Sequence, residues 1–216
     1  MKWLRAVLMI LPVAACKAAV EKTPSQAAEA PAAPAEPAKG SPEWMIRNAM
    51  SGGPDLIASQ AAIMTWPDSA GRAMTELRKG SNGWTCLPDM PMTPVNDPMC
   101  LDSVWVRVFD AVLNNKPFST RVAGVGYMMQ GGADASNSDP AKMVPAAGEQ
   151  WNIEPPHMML IPANTTALAG LPATPGNGPW VMFAGTQYAH VMMPVKYRIF
   201  PSPRLPVTLP VPFRGL

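Results

Sequence analysis

Residues 17–42 set the first limit on what this chain can fold into. They hold nine Ala, five Pro, three Lys and three Glu, and Val20 is the one sizeable aliphatic among them. Such a segment cannot bury enough apolar surface to offset its ordering entropy. Interspersed Ala and Pro favour extended polyproline II, which at about 3.1 Å per residue lets the segment reach roughly 80 Å. A packed core therefore has to come from the residues beyond position 42. We expect one globular domain over 43–200, a length that suits a single core, and a proline-rich extended tail over 201–216.

Residues 1–15 have the pattern of an export signal. Lys2 and Arg5 precede an apolar run over 6–15 that is broken only by Pro12. That run is too short to cross a bilayer, which takes roughly 20 apolar residues, and it is the size of a signal-peptide core. It ends Val13-Ala14-Ala15-Cys16, which resembles the lipobox of bacterial lipoproteins. The resemblance implies cleavage before Cys16 and acylation of its thiol, and multiple acyl chains give stable anchoring where one gives marginal binding. The alternative is an ordinary signal peptide with Cys16 incidental. Lys17, where an Asp would mark inner-membrane retention, resembles the outer-membrane class facing the periplasm. Residues 16–42 would then be an acylated cysteine and its tether.

The chain has 17 basic and 15 acidic residues, and Lys2 and Arg5 belong to the expected signal peptide. Without them the charges balance, which argues against a nucleic-acid partner and against an electrostatic membrane patch. No later stretch is long and apolar enough to span a membrane, so lipid is the expected membrane contact. Of the three cysteines, acylation of Cys16 would leave Cys86 and Cys100 as a pair. An oxidising compartment favours a disulfide between them, and metal ligation is the alternative.

Within the domain the pattern predicts an α+β fold, mostly antiparallel strands with one clear helix and long Pro/Gly-rich loops. The helix is expected over about 98–114. Asp97-Pro98 reads as a cap followed by a proline at the first helical position, and Leu101, Val104, Trp105, Val108 and Val112 recur at helical spacing. A weaker helix is expected over 54–62. Strands are expected over 122–130, 158–161, 180–184 and 191–200, separated by turn chemistry such as Gly131-Gly132 and Asn177-Gly178-Pro179.

The two histidines sit in similar surroundings, His157-Met158-Met159-Leu160-Ile161-Pro162 and His190-Val191-Met192-Met193-Pro194. On a strand, residues i and i+2 share a face, so His157 would lie beside Met159 and His190 beside Met192. If the two strands were neighbours, two imidazoles and two thioethers would converge, a donor set suited to copper, particularly Cu(I). The competing reading is an ordinary core in which methionine fills gaps. Trp84, in Gly80-Ser81-Asn82-Gly83-Trp84-Thr85-Cys86, is either a stacking platform for a ligand or a residue packed on the disulfide. A Ser-His-Asp site is possible on inventory alone, since Asp97, Asp102 and Asp139 accompany the histidines, but no spacing supports it. There is no G-x-S-x-G elbow, phosphate-binding glycine loop, H-E-x-x-H or C-x-x-C-H.

SNGWTC at 81–86, DPMCLD at 97–102, SNSDP at 136–140, PPHMM at 155–159 and PWVMFAGTQYAHVMMP at 179–194 together resemble a group of exported bacterial proteins of unknown function. The resemblance spans 41–195, implies one coherent domain and brings no activity with it. The sequence thus favours a membrane-anchored, non-enzymatic binding or envelope-associated domain for a small-molecule or envelope partner. A copper-binding lipoprotein is second, and a hydrolase using one of the histidines third.

Overall fold

The computed structural model describes residues 36–67, 73–176 and 178–195. The expected signal peptide, Cys16, the expected tether up to residue 35, Asn177, residues 196–200 of the strand expected over 191–200 and the expected tail 201–216 lie outside them. Among the described residues three helices, α1 (Pro42–Met50), α2 (Asp55–Ala58) and α3 (Ser103–Leu113), accompany ten short strands. These are β1 (Ala62–Met64), β2 (Glu76–Arg78), β3 (Thr85–Leu87), β4 (Met99–Leu101), β5 (Gly124–Met128), β6 (Gly132–Asp134), β7 (Asn152–Glu154), β8 (His157–Ile161), β9 (Trp180–Met182) and β10 (His190–Pro194). Eight form one sheet in the order β2-β1-β3-β4-β5-β8-β10-β9, and β6 pairs with β7. All the pairings are antiparallel except β1 with β3. The α+β class and the antiparallel bias match the sequence reading.

The clear helix expected over about 98–114 needs correction in its bounds, and α1 adds a helix that the sequence reading lacks. Helix α1 is capped by Ser41, whose side chain accepts from the Trp44 N–H at 3.2 Å, with Pro42 at the first helical position. Helix α3 starts at Ser103, with Asp102 and not Asp97 as its cap. Residues Met99–Leu101 are drawn into β4, which pairs with β3 on one side and β5 on the other. Two strand ladders outweigh the Asp-Pro helix signal there. Asp97 is instead buried and accepts a hydrogen bond from the Met90 N–H at 2.8 Å. The weaker helix over 54–62 shrinks to the single turn of α2, and its last residue begins β1.

The pleat divides the sheet between two covers. Leu87, Met99, Leu101, Met159 and Met192 pack in one core cluster with Val104, Trp105 and Val108 of α3. On the opposite face Cys86, Cys100 and Ile63 pack with Ala49 of α1 and Ala58 of α2. Further along that face Val191 and Leu160 pack with Leu168 of a 3-10 turn, Thr165–Leu168. The expected disulfide is present: Cys86 and Cys100 are directly paired residues of β3 and β4, with Cα atoms 4.0 Å apart.

The glycines of β5 explain why α3 can lie so close. A Cβ at Gly124 would sit 2.6 Å from Cβ of Val104, and one at Gly126 would sit 2.8 Å from Cε of Met159 and 3.4 Å from Cδ1 of Trp105. Overpacking of this kind costs about 1–3 kcal/mol. Gly124→Ala is expected to lower stability by about that amount in urea unfolding, while Gly176→Ala, whose added Cβ meets nothing within 4 Å, leaves the midpoint unchanged. The disulfide joins residues 14 apart in sequence. Replacing both cysteines by alanine is expected to cost about 3 kcal/mol in the same assay.

Candidate functional site

Strands β8 and β10 are neighbours, with Met159 paired to Met192 and His157 paired to Pro194. Paired residues of adjacent strands and alternate residues of one strand share a face. His157, Met159, His190 and Met192 therefore all belong to the face that α3 covers. Met159 and Met192 stand directly opposite each other. The two histidines do not: His190 is offset from His157 by four residues of register, about 13 Å along the strands. Each instead has another methionine directly across from it, Met128 of β5 for His157 and Met182 of β9 for His190.

The two imidazoles are held in the same way. Nδ1 of His157 lies 2.7 Å from the Pro155 carbonyl oxygen, and Nδ1 of His190 lies 2.9 Å from that of Tyr188. A carbonyl only accepts, so each Nδ1 carries the proton and each Nε2 presents a lone pair. Tyr188 is itself fixed, its hydroxyl donating to the Lys116 carbonyl at 2.6 Å. The His190 ring stands edge-on to Trp105 at 4.8 Å and to Phe183 at 5.6 Å between centroids. Phe183 has φ of 55°, a left-handed conformation that is uncommon for a bulky residue and stores backbone strain beside the ring.

A cavity of about 110 Å³ lies between this face and α3. Met128, Met159, Met182 and Met192 line it from the sheet, Trp105 and Val108 from the helix, and Glu154 and His190 add polar groups. The volume is below the 300–1,000 Å³ of pockets for drug-sized ligands and suits an ion or a molecule of few atoms. Nε2 of both histidines, both carboxyl oxygens of Glu154 and Nε1 of Trp105 are buried without a hydrogen-bond partner. The Glu154 Oε2 to His157 Nε2 distance of 3.8 Å is beyond hydrogen-bond reach. Each such orphan costs about 1–3 kcal/mol.

Burial also suppresses charge here. It pushes the Glu154 carboxyl up to about 9, with repulsion from Asp134 adding to it. It pulls His157 below the ordinary imidazole value and His190 down to about 4, the latter helped by the charge of His157. Asp97 and Asp134, which also line the cavity, are both raised to about 6, chiefly by burial. At neutral pH both imidazoles are uncharged and Glu154 is protonated.

Trp84 lies elsewhere. It is half-buried with the disulfide cluster, its ring 5.6 Å from that of Tyr127 on the α1 side of the sheet. Asp139 caps a turn, accepting from the Ala141 N–H at 2.9 Å. Sequence reasoning missed Glu154, Met128, Met182 and the clasp made by Asn137. That residue's side chain accepts from Nε1 of Trp180 at 3.0 Å, and its carbonyl accepts from the Phe183 N–H at 2.8 Å, which pins β9 under the cavity. The SNSDP motif was the available signal for Asn137; nothing in the sequence marked Glu154 as buried. Among the described residues no three His, Cys, Asp or Glu side chains gather as a metal-ligand set, so any metal here would rely on methionine sulfur.

Glu154 gives the fold a definite pH dependence. Its folded value of about 9 exceeds its ordinary 4.5, so the folded state holds the extra proton between those limits. Stability is lost as pH rises through that window, by at most about 1.4 kcal/mol per pH unit. The histidine contributions run the other way and are lost only below pH 6.5, which isolates Glu154 between pH 7 and 9. Urea unfolding across that range is expected to show falling stability in the native chain and a flatter profile in Glu154→Gln. Comparison of the chain with protein-family models, with curated proteins and with solved structures yields no match, so the functional reading rests on this geometry.

Proposed function

We propose that this chain is an exported, lipid-anchored binding protein whose domain holds a small ligand, without transforming it, in the cavity under α3. The observation that carries the reading is that Glu154, His190 and Trp105, which line one methionine-rich space, each hold buried polar side-chain atoms without a hydrogen-bond partner. A folded protein has few such atoms, and several together favour a site for water, an ion or a small ligand over an ordinary apolar core. At the His190 end of that space a neutral imidazole and thioethers favour an uncharged or soft ligand over a strongly hydrated one.

The hydrolase reading finds less support. A nucleophile needs a hydroxyl within hydrogen-bond reach of its base, and among the described residues neither Nε2 has any hydrogen-bond partner. The anchoring part of the proposal rests on the lipobox-like run ending at Cys16 and on the Ala/Pro tether after it. No helix among the described residues is long and apolar enough to cross a membrane.

Two measurements test the two parts. Cys16→Ser is expected to lose the acyl mass on its N-terminal peptide and to leave the membrane fraction; an unchanged distribution would defeat the anchor. For the cavity, the full chain extracted in mild detergent is examined by native mass spectrometry. A discrete small added mass is expected in the native protein and absent from Val108→Phe, which fills the space. A native protein that neither carries nor takes up any small species defeats the receptor reading.

A further inference from the structure

We infer that the His190 end of the cavity is a site for one soft monovalent metal ion, Cu(I), bound by Nε2 of His190 and the thioethers of Met182 and Met192. This rests on the receptor reading and names the chemical class of its ligand.

Three observations converge on that end. His190 lines the cavity, and its Nε2 is buried and has no hydrogen-bond partner. Its opposite nitrogen is locked by the Tyr188 carbonyl at 2.9 Å, the arrangement that orients a ligating imidazole and raises its basicity. The pairing register then supplies sulfur. Met182 is the direct cross-strand partner of His190, Met192 lies two residues along the same strand, and Met159 faces Met192.

Coordination chemistry narrows the ion. Thioether and neutral imidazole are soft or borderline donors that suit Cu(I), whereas carboxylate and water suit hard cations. Zinc sites draw on thiolate, imidazole and carboxylate, and no group of three such residues exists among the described ones. Methionines and the Trp105 and Phe183 rings surround His190, a setting less favourable to a strongly hydrated divalent ion. Cu(I) needs only two or three ligands and fits that poverty of donors. Asp97 and Asp134 line the same cavity and are available to balance one positive charge. His157 stands apart from this set, beyond the Met159–Met192 pair, with its Nε2 nearest to Glu154.

The test uses the full chain in detergent, titrated anaerobically with Cu(I) against a chromogenic Cu(I) chelator, with Ag(I) as a second probe. One equivalent is expected to be retained, with an X-ray absorption spectrum showing nitrogen and sulfur neighbours. The double change Met182→Leu with Met192→Leu keeps core volume and is expected to weaken retention by about 100-fold or more, as loss of direct ligands exceeds the 10–100-fold cost of outer-shell changes. Met92→Leu, at a half-exposed position, is expected to bind as the native chain does, and matched melting temperatures check that all variants fold. Retention unchanged in the double variant, or an absorption spectrum without sulfur, overturns the inference. Failure of the native chain to hold either ion also overturns it. If the native chain still carries an organic mass that Val108→Phe loses, the receptor reading survives that failure; if it carries nothing, both fall.

Discussion

The Asp102 carboxylate is the fixed point on which the described domain is assembled. One oxygen accepts from the N–H groups of Val104 and Trp105, both at 2.9 Å, and the other accepts from the N–H of Val125 at 2.7 Å. The first pair caps α3, and the third bond fastens that cap to β5. A helix start normally leaves its N–H groups to a local side chain or to water. Here the same side chain also fixes where the helix sits over the sheet. The Asp102 N–H in turn donates to the Val125 carbonyl at 3.1 Å, so β4, α3 and β5 meet at one residue.

The cavity is a product of that arrangement. With α3 held over β5, Trp105 and Val108 become its roof and the alternate residues of β8, β9 and β10 its floor. The other face of the sheet is closed independently, by α1 and α2 over the Cys86–Cys100 pair. Polar groups are tolerated beneath α3 because both histidines satisfy one nitrogen locally, each with the carbonyl two residues earlier. The other nitrogen stays unsatisfied, and that asymmetry separates this space from an ordinary methionine-filled core.

Much of this was legible where a periodic pattern runs long enough. The inward stripe of α3 was visible in Val104, Trp105 and Val108, and the pairing of His157 with Met159 and of His190 with Met192 came from the two-residue repeat of a strand. The cysteine pair came from counting. The start of α3 was misplaced because Asp97-Pro98 and Asp102 both carry cap chemistry, and only the ladders on either side of Met99–Leu101 decide between them. Strands of three residues, such as β1, β6 and β7, show too little of any period to be read. Glu154 was therefore invisible, since it precedes two prolines in what reads as a loop. Methionines 128 and 182 needed the register of the neighbouring strands, which no single sequence displays.

The close seat of α3 on β5 has a consequence for how such a cavity changes. Its height is set at Gly124, where a hydrogen stands in for a side chain beneath Val104, and that glycine is not among the residues that line it. A substitution there would tilt or lift the roof without altering one donor atom. The polar lining of the cavity and its height are thus written at different positions of the chain, one in histidine and methionine, the other in a residue with no side chain at all. Variation at Gly124 would retune the size of the space while leaving its imidazole and thioether lining unchanged.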